Sequence, residues 1–403
     1  MTTKEPVQDF ATDWDHTDPQ WVCDPYPIWE DLRQRCPVAH TERYGGAWFP
    51  TTHELVTSVA NDTEHFTSRM VVMTTANKYP ENFIPSPMGG APPITSDPPF
   101  HAIARRVMLP AFAPGPVNAL EPQIRALCNK YLDDVAGEEF FDAASEYAQF
   151  IPPGVIAAML GFPSKDEELF REFVHVVINM VDEEPEVRIP LFEPMQRYFD
   201  EQIHDHIDNP RDDFTSYLLN VEVGGEKLAR EHVRGTMILT LIAGIDTTWS
   251  AIGSALWHLA KNPLDLARLA REPEIIPLAV EEFLRFYAPV TMFRLVKEDF
   301  EFNGCSMKKD DWVLVGFPAA NRDPAAFEDA DLFIIDREVN RHAAFGLGIH
   351  RCVGSNLARL ELRVAIEEFI KRYPSFELAN PSAVTWAPGQ IRGPRQLPMR
   401  VPA

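Results

Sequence analysis

One segment of this 403-residue chain restricts its possible folds more than any other. Residues from about Leu228 to Lys261 show one continuous helical pattern, which Asn262 and Pro263 would end. At about 1.5 Å per residue such a helix spans roughly 50 Å, the width of a whole domain. Its centre, TMILTLIAG, is apolar on nearly every side, as expected for a helix surrounded by protein. The sequence therefore predicts a long helix buried in the core.

The rest of the chain predicts mostly helix with little sheet. Apolar residues recur at helical spacing over 115–135, 166–182, 192–207, 275–287 and 354–373. Short strands are predicted at 45–50, 54–58, 291–303 and 312–316. We find no internal repeat and no domain boundary, and we expect residues 1–403 to form a single mainly α domain with a minor β-sheet. Residues 68–100 form the longest irregular stretch, and their apolar side chains favour a loop folded over a site.

Charge and cysteine content exclude several classes of protein. The net charge of -23 argues against binding to nucleic acid or to an anionic membrane surface. The N-terminal segment has no apolar signal region, and no run of about 18 apolar residues occurs. The five cysteines lie far apart without CxxC spacing, which disfavours a disulfide framework or a zinc site. These features favour a soluble enzyme in the reducing cytoplasm.

Cys352 stands in an unusual local sequence, AAFGLGIHRCVGSN. Its glycines leave room for a group to approach the backbone closely, and a predicted helix follows directly. The positive end of that helix favours a thiolate, which can bind a metal, although a buried structural cysteine is the ordinary alternative. No second cysteine lies nearby, which disfavours zinc and iron–sulfur sites. A single thiolate suits a haem, because the porphyrin supplies the equatorial ligands.

The segment FGLGIHRCVG, residues 345–354, resembles the haem-binding signature of the cytochrome P450 family, F-x-x-G-x-x-x-C-x-G. The resemblance extends over nearly the whole chain, from about residue 24 to residue 394. It implies the cytochrome P450 fold, with haem b between the long central helix and the cysteine segment. It further implies that Cys352 is the proximal iron ligand. The other cofactor-binding residues that it implies in this segment are Phe345, Gly346, His350 and Gly354.

The long helix carries the polar sequence AGIDTT, residues 243–248, within its apolar centre. Glycine weakens a helix by about 1 kcal/mol relative to alanine, and a buried aspartate is costly unless it has a partner. One interpretation is a helix kink with a hydrogen-bonded aspartate. The resemblance implies a second, in which Thr247 holds dioxygen and its waters and Asp246 relays protons. Ala243 and Gly244 would then border the groove for oxygen.

Glu282 and Arg285 form an ExxR pattern, which in most proteins is a surface ion pair contributing a few tenths of a kcal/mol. The resemblance instead implies a structural pair completed by Arg337. Haem propionates require cationic or hydrogen-bond-donating partners. The resemblance implies that these are His101, Arg105, Arg294 and His350, although each could have a surface or core role instead.

The resemblance implies a monooxygenase that uses O2 and receives electrons from NAD(P)H through a separate ferredoxin and ferredoxin reductase. We expect a monomer, with Arg106, Arg351 and Arg359 forming a basic patch for an acidic ferredoxin unless they are ordinary solvated arginines. One alternative is a peroxygenase that uses hydrogen peroxide, which the intact Asp246-Thr247 pair disfavours. Another is a non-catalytic haem-binding sensor, disfavoured because no DNA-binding or signalling segment is recognised.

The resemblance also implies a substrate pocket with few fixed charges. This favours hydroxylation, epoxidation or O-dealkylation of a small to medium apolar molecule, such as a terpenoid or an aromatic compound. Plain core packing is the alternative for each pocket residue. Arg69 and Arg392 could anchor a carboxylate. The predicted pocket segments are 70–94, 173–184, 237–244, 290–293 and 389–392. The pocket residues that we name within them are Val71, Met73, Phe83, Val177, Met180, Leu239, Ala243, Val290, Met292 and Phe293.

Overall fold

Helices dominate the computed structural model, which describes residues 5–73, 90–180 and 185–402. The α-helices of this part of the chain are α1 (Pro19–Cys23), α2 (Tyr26–Arg35), α3 (His53–Asn61), α4 (Phe100–Met108), α5 (Pro114–Asn118), α6 (Glu121–Asp134), α7 (Ile151–Leu160), α8 (Glu167–Val174), α9 (Pro185–Arg188), α10 (Phe192–Asp208), α11 (Phe214–Asn220), α12 (Arg230–Lys261), α13 (Pro263–Arg271), α14 (Ile276–Phe286), α15 (Phe317–Ala320) and α16 (Ser355–Arg372).

The strands are short and belong to several small sheets. They are β1 (Val38–Thr41), β2 (Ala47–Pro50), β3 (Phe66–Thr67), β4 (Phe140–Asp142), β5 (Glu222–Val223), β6 (Glu226–Lys227), β7 (Met292–Val296), β8 (Phe300–Phe302), β9 (Cys305–Met307), β10 (Trp312–Val315), β11 (Glu377–Leu378), β12 (Thr385–Trp386), β13 (Pro394–Gln396) and β14 (Pro398–Arg400). The largest sheet has five strands in the order β1-β2-β10-β7-β3. Strands β10 and β7 are antiparallel, and their register places Val313 opposite Arg294.

The predicted long helix is α12, which has 32 residues and is therefore about 48 Å long. It contacts α7, α8, α10 and α16, so helices surround it on several sides. By length and composition α12 could cross a membrane, but 67% of its most apolar window is buried inside the fold. Its apolar composition is therefore explained by its place in the core, as the sequence predicts.

Some of the sequence predictions for individual elements differ from the structure, and the predicted strand 291–303 is divided into β7 and β8. Residues 54–58 are not a strand but part of α3, where Val56, Val59 and Ala60 are buried at helical spacing. The Thr52 hydroxyl accepts a hydrogen bond from the Leu55 N–H and caps this helix. The segment 115–135 is divided into α5 and α6, which begins at Glu121 with a proline in its first turn.

The five cysteines occupy different environments, and none forms a disulfide. Cys23 is exposed, Cys36 and Cys305 are half-buried, and Cys128 is buried. Burial raises the pKa of the Cys128 thiol to about 12. Cys352 is accessible, and it lies at the wall of an interior cavity described below. Burial, with a contribution from the neighbouring Cys36, raises the pKa of Cys305, so these two thiols lie near each other without forming a disulfide.

Candidate active site

Most of the cofactor-binding and pocket residues predicted from the sequence line a cavity of about 700 Å³. Helix α12 contributes Ala243, Gly244 and Thr247 to its wall. The segment that precedes α16 contributes Phe345 and Cys352, among other residues. The structure therefore brings the polar centre of the long helix and the cysteine segment to the same interior space.

A tight backbone arrangement positions Cys352. Its N–H donates to the Phe345 carbonyl at 2.7 Å, and the Gly346 N–H donates to the Ala343 carbonyl at 2.8 Å. Gly346 and Gly348 have φ angles of 72° and 66°, in the left-handed region that favours glycine. A Cβ atom at Gly348 would lie 2.5 Å from the Ala60 carbonyl oxygen. Gly348 is therefore required for close contact with helix α3.

The electrostatic surroundings of Cys352 act in opposite directions. The surface of Cys352 is accessible from the cavity, but the thiol lies deep within the protein, and this burial raises its pKa. A hydrogen bond from the Gly354 N–H and the charges of Arg105, Arg351 and Arg359 lower it, but by less than burial raises it. The sequence predicts a thiolate favoured by the helix end, whereas the structure gives a raised pKa. A bound metal cation is what would displace the proton, since a thiol binds metal as the thiolate.

Cationic and imidazole groups surround the same part of the cavity. Arg105, Arg294 and His350 line it, and the His101 ring lies 4.4 Å from that of His350. Arg294 is buried, and burial lowers its pKa to about 10. Within the described residues it forms no ion pair with a carboxylate, and its Nη1 donates to the Phe293 carbonyl at 2.8 Å. The four predicted propionate partners are thus close together, although His101 itself does not line the cavity.

The two histidines in this group are held in the neutral form. Burial, with the charges of Arg294, His101 and Arg105, lowers the pKa of His350 to about 2. Its Nε2 lies 3.0 Å from the Ser68 hydroxyl. Burial also lowers the pKa of His101, and in the described chain its buried Nε2 has no hydrogen-bond partner. An imidazole nitrogen without a partner leaves one position open for a ligand atom.

These residues fit a haem on the evidence of their own chemistry. A single thiol faces the cavity, and in the described ranges no three His, Cys, Asp or Glu side chains cluster as metal ligands. Two arginines without carboxylate partners and an unpaired imidazole nitrogen lie near it, and they would compensate the charge of two propionates. A haem would need one thiolate for its iron and cationic partners for its carboxylates, and the residues described here can supply both.

On α12, Thr247 and Gly244 both face the cavity. The Thr247 hydroxyl donates to the Ala243 carbonyl one turn earlier at 2.7 Å. A Cβ atom at Gly244 would lie 2.5 Å from Ile156 Cδ1 of α7. Because Gly244 has no side chain, α7 can pack closely against α12. The predicted role of Gly244 in bordering an oxygen groove is separate from this packing role.

Asp246 does not line the cavity. Its carboxylate is buried, and Oδ1 accepts a hydrogen bond from Arg395 Nη2 at 2.6 Å. Arg395 also donates to the Ser250 hydroxyl at 3.0 Å and lies over the Trp249 ring. Burial raises the pKa of Asp246, while Arg395 opposes this change. The structure thus gives the hydrogen-bonded aspartate of the first interpretation, and the proton relay stays a prediction.

The ExxR residues form a buried network rather than a surface pair. Arg285 binds both carboxylate oxygens of Glu282 at 2.7 and 2.8 Å, and both side chains are completely buried. Arg337 Nε donates to Glu282 at 3.1 Å, and Asn340 donates to the same oxygen at 3.0 Å. The remaining Arg285 donors bind carbonyl groups of Asn321, Ala330 and Leu332. This network joins α14 to the irregular segment that precedes Cys352.

Six of the ten predicted pocket residues line the cavity, namely Val71, Val177, Leu239, Ala243, Val290 and Met292. Phe293 does not, because successive side chains of a strand point to opposite faces, and it packs against His16 and Trp312 instead. Met73 is buried in that same aromatic cluster. Met180 ends a π-helical turn without reaching the wall, and Phe83 lies outside the described residues.

The cavity wall agrees with the predicted pocket segments at Ile94, Ile238, Ile242, Gln390 and Ile391 as well. Other cavity residues lie outside those segments and were not predicted, among them Met108, Phe112, Ile156, Phe192 and Met195. Phe192 and Met195 share one face of the helix predicted at 192–207, but the helical period alone does not show that this face borders a cavity. Arg359 does not contribute a free charge to the predicted basic patch, because its guanidinium is paired with Glu281 at 2.6 and 2.8 Å. Arg106 and Arg351 are exposed and have no ion pair within the described chain.

Comparison with known proteins gives consistent matches. The family model described as "Cytochrome P450" matches residues 201–381. The "Polyketide biosynthesis cytochrome P450 PksS" of Bacillus subtilis (strain 168) is 33% identical over 310 residues, 76% of each chain. "Cytochrome P450-terp" of Pseudomonas sp is 31% identical over 400 residues, 93% of each chain.

Solved structures agree with this result. The PksS structure has a TM-score of 0.87 at 29% identity, covering 97% of this chain and 100% of that one. The structure of P450BioI in complex with hexadec-9Z-enoic acid ligated acyl carrier protein has a TM-score of 0.85 at 28% identity. It covers 95% of this chain and 99% of that one. The similarity therefore includes the fold as well as the sequence.

Proposed function

The chain belongs to the cytochrome P450 family and is a monooxygenase, and we propose that it inserts one oxygen atom of O2 into a small to medium, largely apolar organic molecule. The single observation that supports this substrate class is the cavity, whose wall at Val71, Val177, Leu239, Val290 and Met292 is apolar. Apolar walls with a few polar groups bind apolar ligands and orient them. Hydroxylation, epoxidation and O-dealkylation are all compatible with such a site.

The cofactor of the family is a cysteine-ligated haem b, which activates the co-substrate O2 with electrons that NAD(P)H supplies through redox partners. In this chain we assign Cys352 as the ligand, since its thiol faces the cavity. Phe345 and the glycines at 346 and 354 hold the ligand segment in place. His101, Arg105, Arg294 and His350 bind the propionates, for which the positive charges of the two arginines and the N–H donors of the two neutral imidazoles are suited.

Thr247 is assigned to the hydrogen bonds that O2 chemistry requires on the α12 side. Its hydroxyl lines the cavity and is fixed by the Ala243 carbonyl, so that its own lone pairs remain free to accept. Asp246 is assigned to proton supply from the other face of the helix, where Arg395 holds its carboxylate. A proton that starts from Asp246 must therefore pass around α12 through water or through movement of this ion pair.

We assign a separate ferredoxin and ferredoxin reductase as the electron donors, and we propose that residues 1–403 act as a monomeric haem domain in the cytoplasm. Arg351, next to Cys352, and Arg106, next to the cavity residue Arg105, support the ferredoxin assignment because both are exposed in an otherwise acidic protein. Exposed arginines of this kind increase the rate of association with an acidic partner.

The decisive experiment compares the wild-type protein with Cys352→Ala. We expect the wild type to take up haem and to give the spectrum of a thiolate-ligated ferrous–carbon monoxide complex. It should oxidise a substrate when a surrogate ferredoxin, its reductase and NAD(P)H are supplied. Cys352→Ala should lose this spectrum and all turnover, whereas Cys23→Ala, which changes an exposed thiol, should keep both. A thiolate spectrum in Cys352→Ala would contradict the assignment, and turnover with hydrogen peroxide alone would favour a peroxygenase.

A further inference from the structure

Arg69 places a positive charge on the wall of the cavity. It follows strand β3, its side chain is exposed, and it lines the same space as Cys352. Within the described residues its guanidinium has no hydrogen bond, ion pair or ring contact. A mainly apolar cavity wall thus presents at Arg69 a five-donor group with no acceptor of its own among the described residues, in addition to the arginines assigned to the propionates.

The backbone at Arg69 is fixed, although its side chain is not. The Arg69 N–H donates to the Thr67 hydroxyl at 3.1 Å. The Thr67 hydroxyl and the Ser68 N–H both donate to Asp97, the latter at 2.9 Å. The Ser68 hydroxyl lies 3.0 Å from His350. Since three successive residues are anchored in this way, the backbone from which the Arg69 side chain extends is fixed at the wall, and the guanidinium can move only within reach of that point.

The other charged groups of the wall have different surroundings. Arg105 and Arg294 belong with His350 to the group assigned to the haem propionates. Arg188 is buried and donates to the carbonyl groups of Val176 and Val177. Glu193, on α10, is an exposed carboxylate at the wall. Glu361, on α16, is completely buried, and burial raises its pKa far above the ordinary range.

Of the two arginines that the sequence offers as carboxylate anchors, one reaches the cavity. Arg392 does not line it. Its guanidinium lies over the Trp386 ring at 4.0 Å, and Nη2 donates to the Cys23 carbonyl at 3.2 Å. Arg69 is therefore the remaining candidate of that pair.

We propose that Arg69 binds a carboxylate of the substrate, so that the preferred substrate is an apolar carboxylic acid. This inference rests on the proposed function and narrows its substrate class. Guanidinium and carboxylate form two parallel hydrogen bonds, which fix the direction of the ligand as well as its position. When the apolar body of the ligand fills the cavity it excludes water, and the attraction between the two charges becomes stronger. The acid group then remains at Arg69 while the apolar body extends along the wall.

The test uses optical titration of the ferric haem protein at the Soret band with matched ligand pairs. One pair is 4-ethylbenzoic acid and 4-ethylbenzamide, and the other is decanoic acid and decanamide, so that body size and charge vary separately. We expect each acid to bind at least about tenfold more tightly than its amide, as one charge-assisted pair provides. Arg69→Ala should abolish this preference, Arg69→Lys should restore part of it, and Arg271→Ala, at an exposed site on α13, should leave it unchanged.

Each other outcome overturns the inference in a recognisable way. Equal affinities of acid and amide in the wild type, no spectral shift with any acid, or an undiminished preference in Arg69→Ala would each show that Arg69 binds no substrate carboxylate. Reduced haem uptake by Arg69→Ala would place Arg69 in the cofactor site instead. In all these cases a thiolate spectrum keeps the monooxygenase assignment, whereas a wild-type protein that takes up no haem contradicts the proposed function itself.

Discussion

At the scale of single residues, Thr247 and Asp246 are neighbours in sequence that face different surroundings. The Thr247 hydroxyl is at the cavity wall, and the Asp246 carboxylate is buried beside Arg395. Consecutive residues of a helix are about 100° apart around its axis, so adjacent side chains cannot point in the same direction. The two residues can therefore cooperate only through an intermediate carrier such as water.

We expect Thr247→Ala to bind substrate as the wild type does but to couple electrons poorly to product. The variant lacks the hydroxyl that orients hydrogen bonds in the cavity, while the apolar wall is unchanged. The ratio of product to NAD(P)H consumed should fall, and hydrogen peroxide should increase correspondingly. Thr247→Ser, which keeps the hydroxyl, is the control. Fully coupled product formation in Thr247→Ala would show that the hydroxyl has no such role.

Which single residues could be predicted depended on how local their signal was. Cys352 could be proposed as the haem ligand from ten consecutive residues, because the proposed role needs only a glycine-rich turn followed by a helix. Phe293 was placed in the pocket wrongly, since the face of a strand depends on its register with β10. Arg395 was missed because its partner Asp246 is 149 residues away and no local pattern connects them.

At the scale of secondary structure, α14 is the element through which the cavity wall is joined to the surrounding structure. It carries Glu282 and Arg285, and also Glu281, which binds Arg359 of α16 and lies 3.1 Å from His342. Two adjacent carboxylates thus hold the segment before Cys352 on one side and the helix after it on the other. Helix α14 consequently fixes both ends of the ligand segment.

Glu282→Gln should destabilise the fold strongly. The substitution leaves two arginines facing a neutral amide in a completely buried site. Removal of one partner of a buried ion pair costs about 3–5 kcal/mol. Urea unfolding of the haem protein would measure the change, with Glu274→Gln, an exposed residue close to the start of α14, expected to differ from the wild type by less than about 0.5 kcal/mol. Similar stability of the two variants would contradict a structural role of the network.

The Glu281 ion pair predicts a loss of stability in acid. Burial opposes ionisation of this carboxyl, but hydrogen bonds from Arg359 and His342 outweigh it and lower its pKa from 4.5 to about 2. A lowered pKa in the folded protein means that the stabilisation is present above pH 4.5 and disappears as the pH falls towards 2. The melting temperature of Glu281→Gln should therefore change less over this interval than that of the wild type. Parallel curves for the two proteins would exclude the contribution.

The long helix and the short strands differ in how well the sequence predicts them. Helix α12 was predicted with a start only two residues from the observed one, because more than thirty residues with helical period leave little ambiguity. The segment 54–58 contains too few residues to distinguish a period of 2 from one of 3.6. The Thr52 cap then decides in favour of a helix. Strand β1 was missed, because it is four residues long and its pairing with β2 is a tertiary contact.

At the scale of the whole molecule, the site exists only when distant parts of the chain have assembled. Arg69, Arg105, Thr247, Arg294 and Cys352 lie on five different segments and meet at one cavity. Each motif could be recognised separately, but the relative placement of the segments follows from packing around α12. The fold class was therefore predictable, whereas the detailed wall of the cavity was not.

Because Cys352 is accessible from the cavity, its reaction with a thiol reagent can measure the fraction of molecules that contain no haem. Cys23 is exposed with or without cofactor, and Cys128 is buried with a pKa of about 12, so neither should change its reactivity. Titration with a small thiol reagent should therefore detect one more reactive group per molecule in haem-free protein than in haem-loaded protein. Cys352→Ala should remove this difference. Equal thiol counts in both forms would mean that the sulfur is not covered by the cofactor, and an observed difference would give the loaded fraction of any preparation without a spectrum.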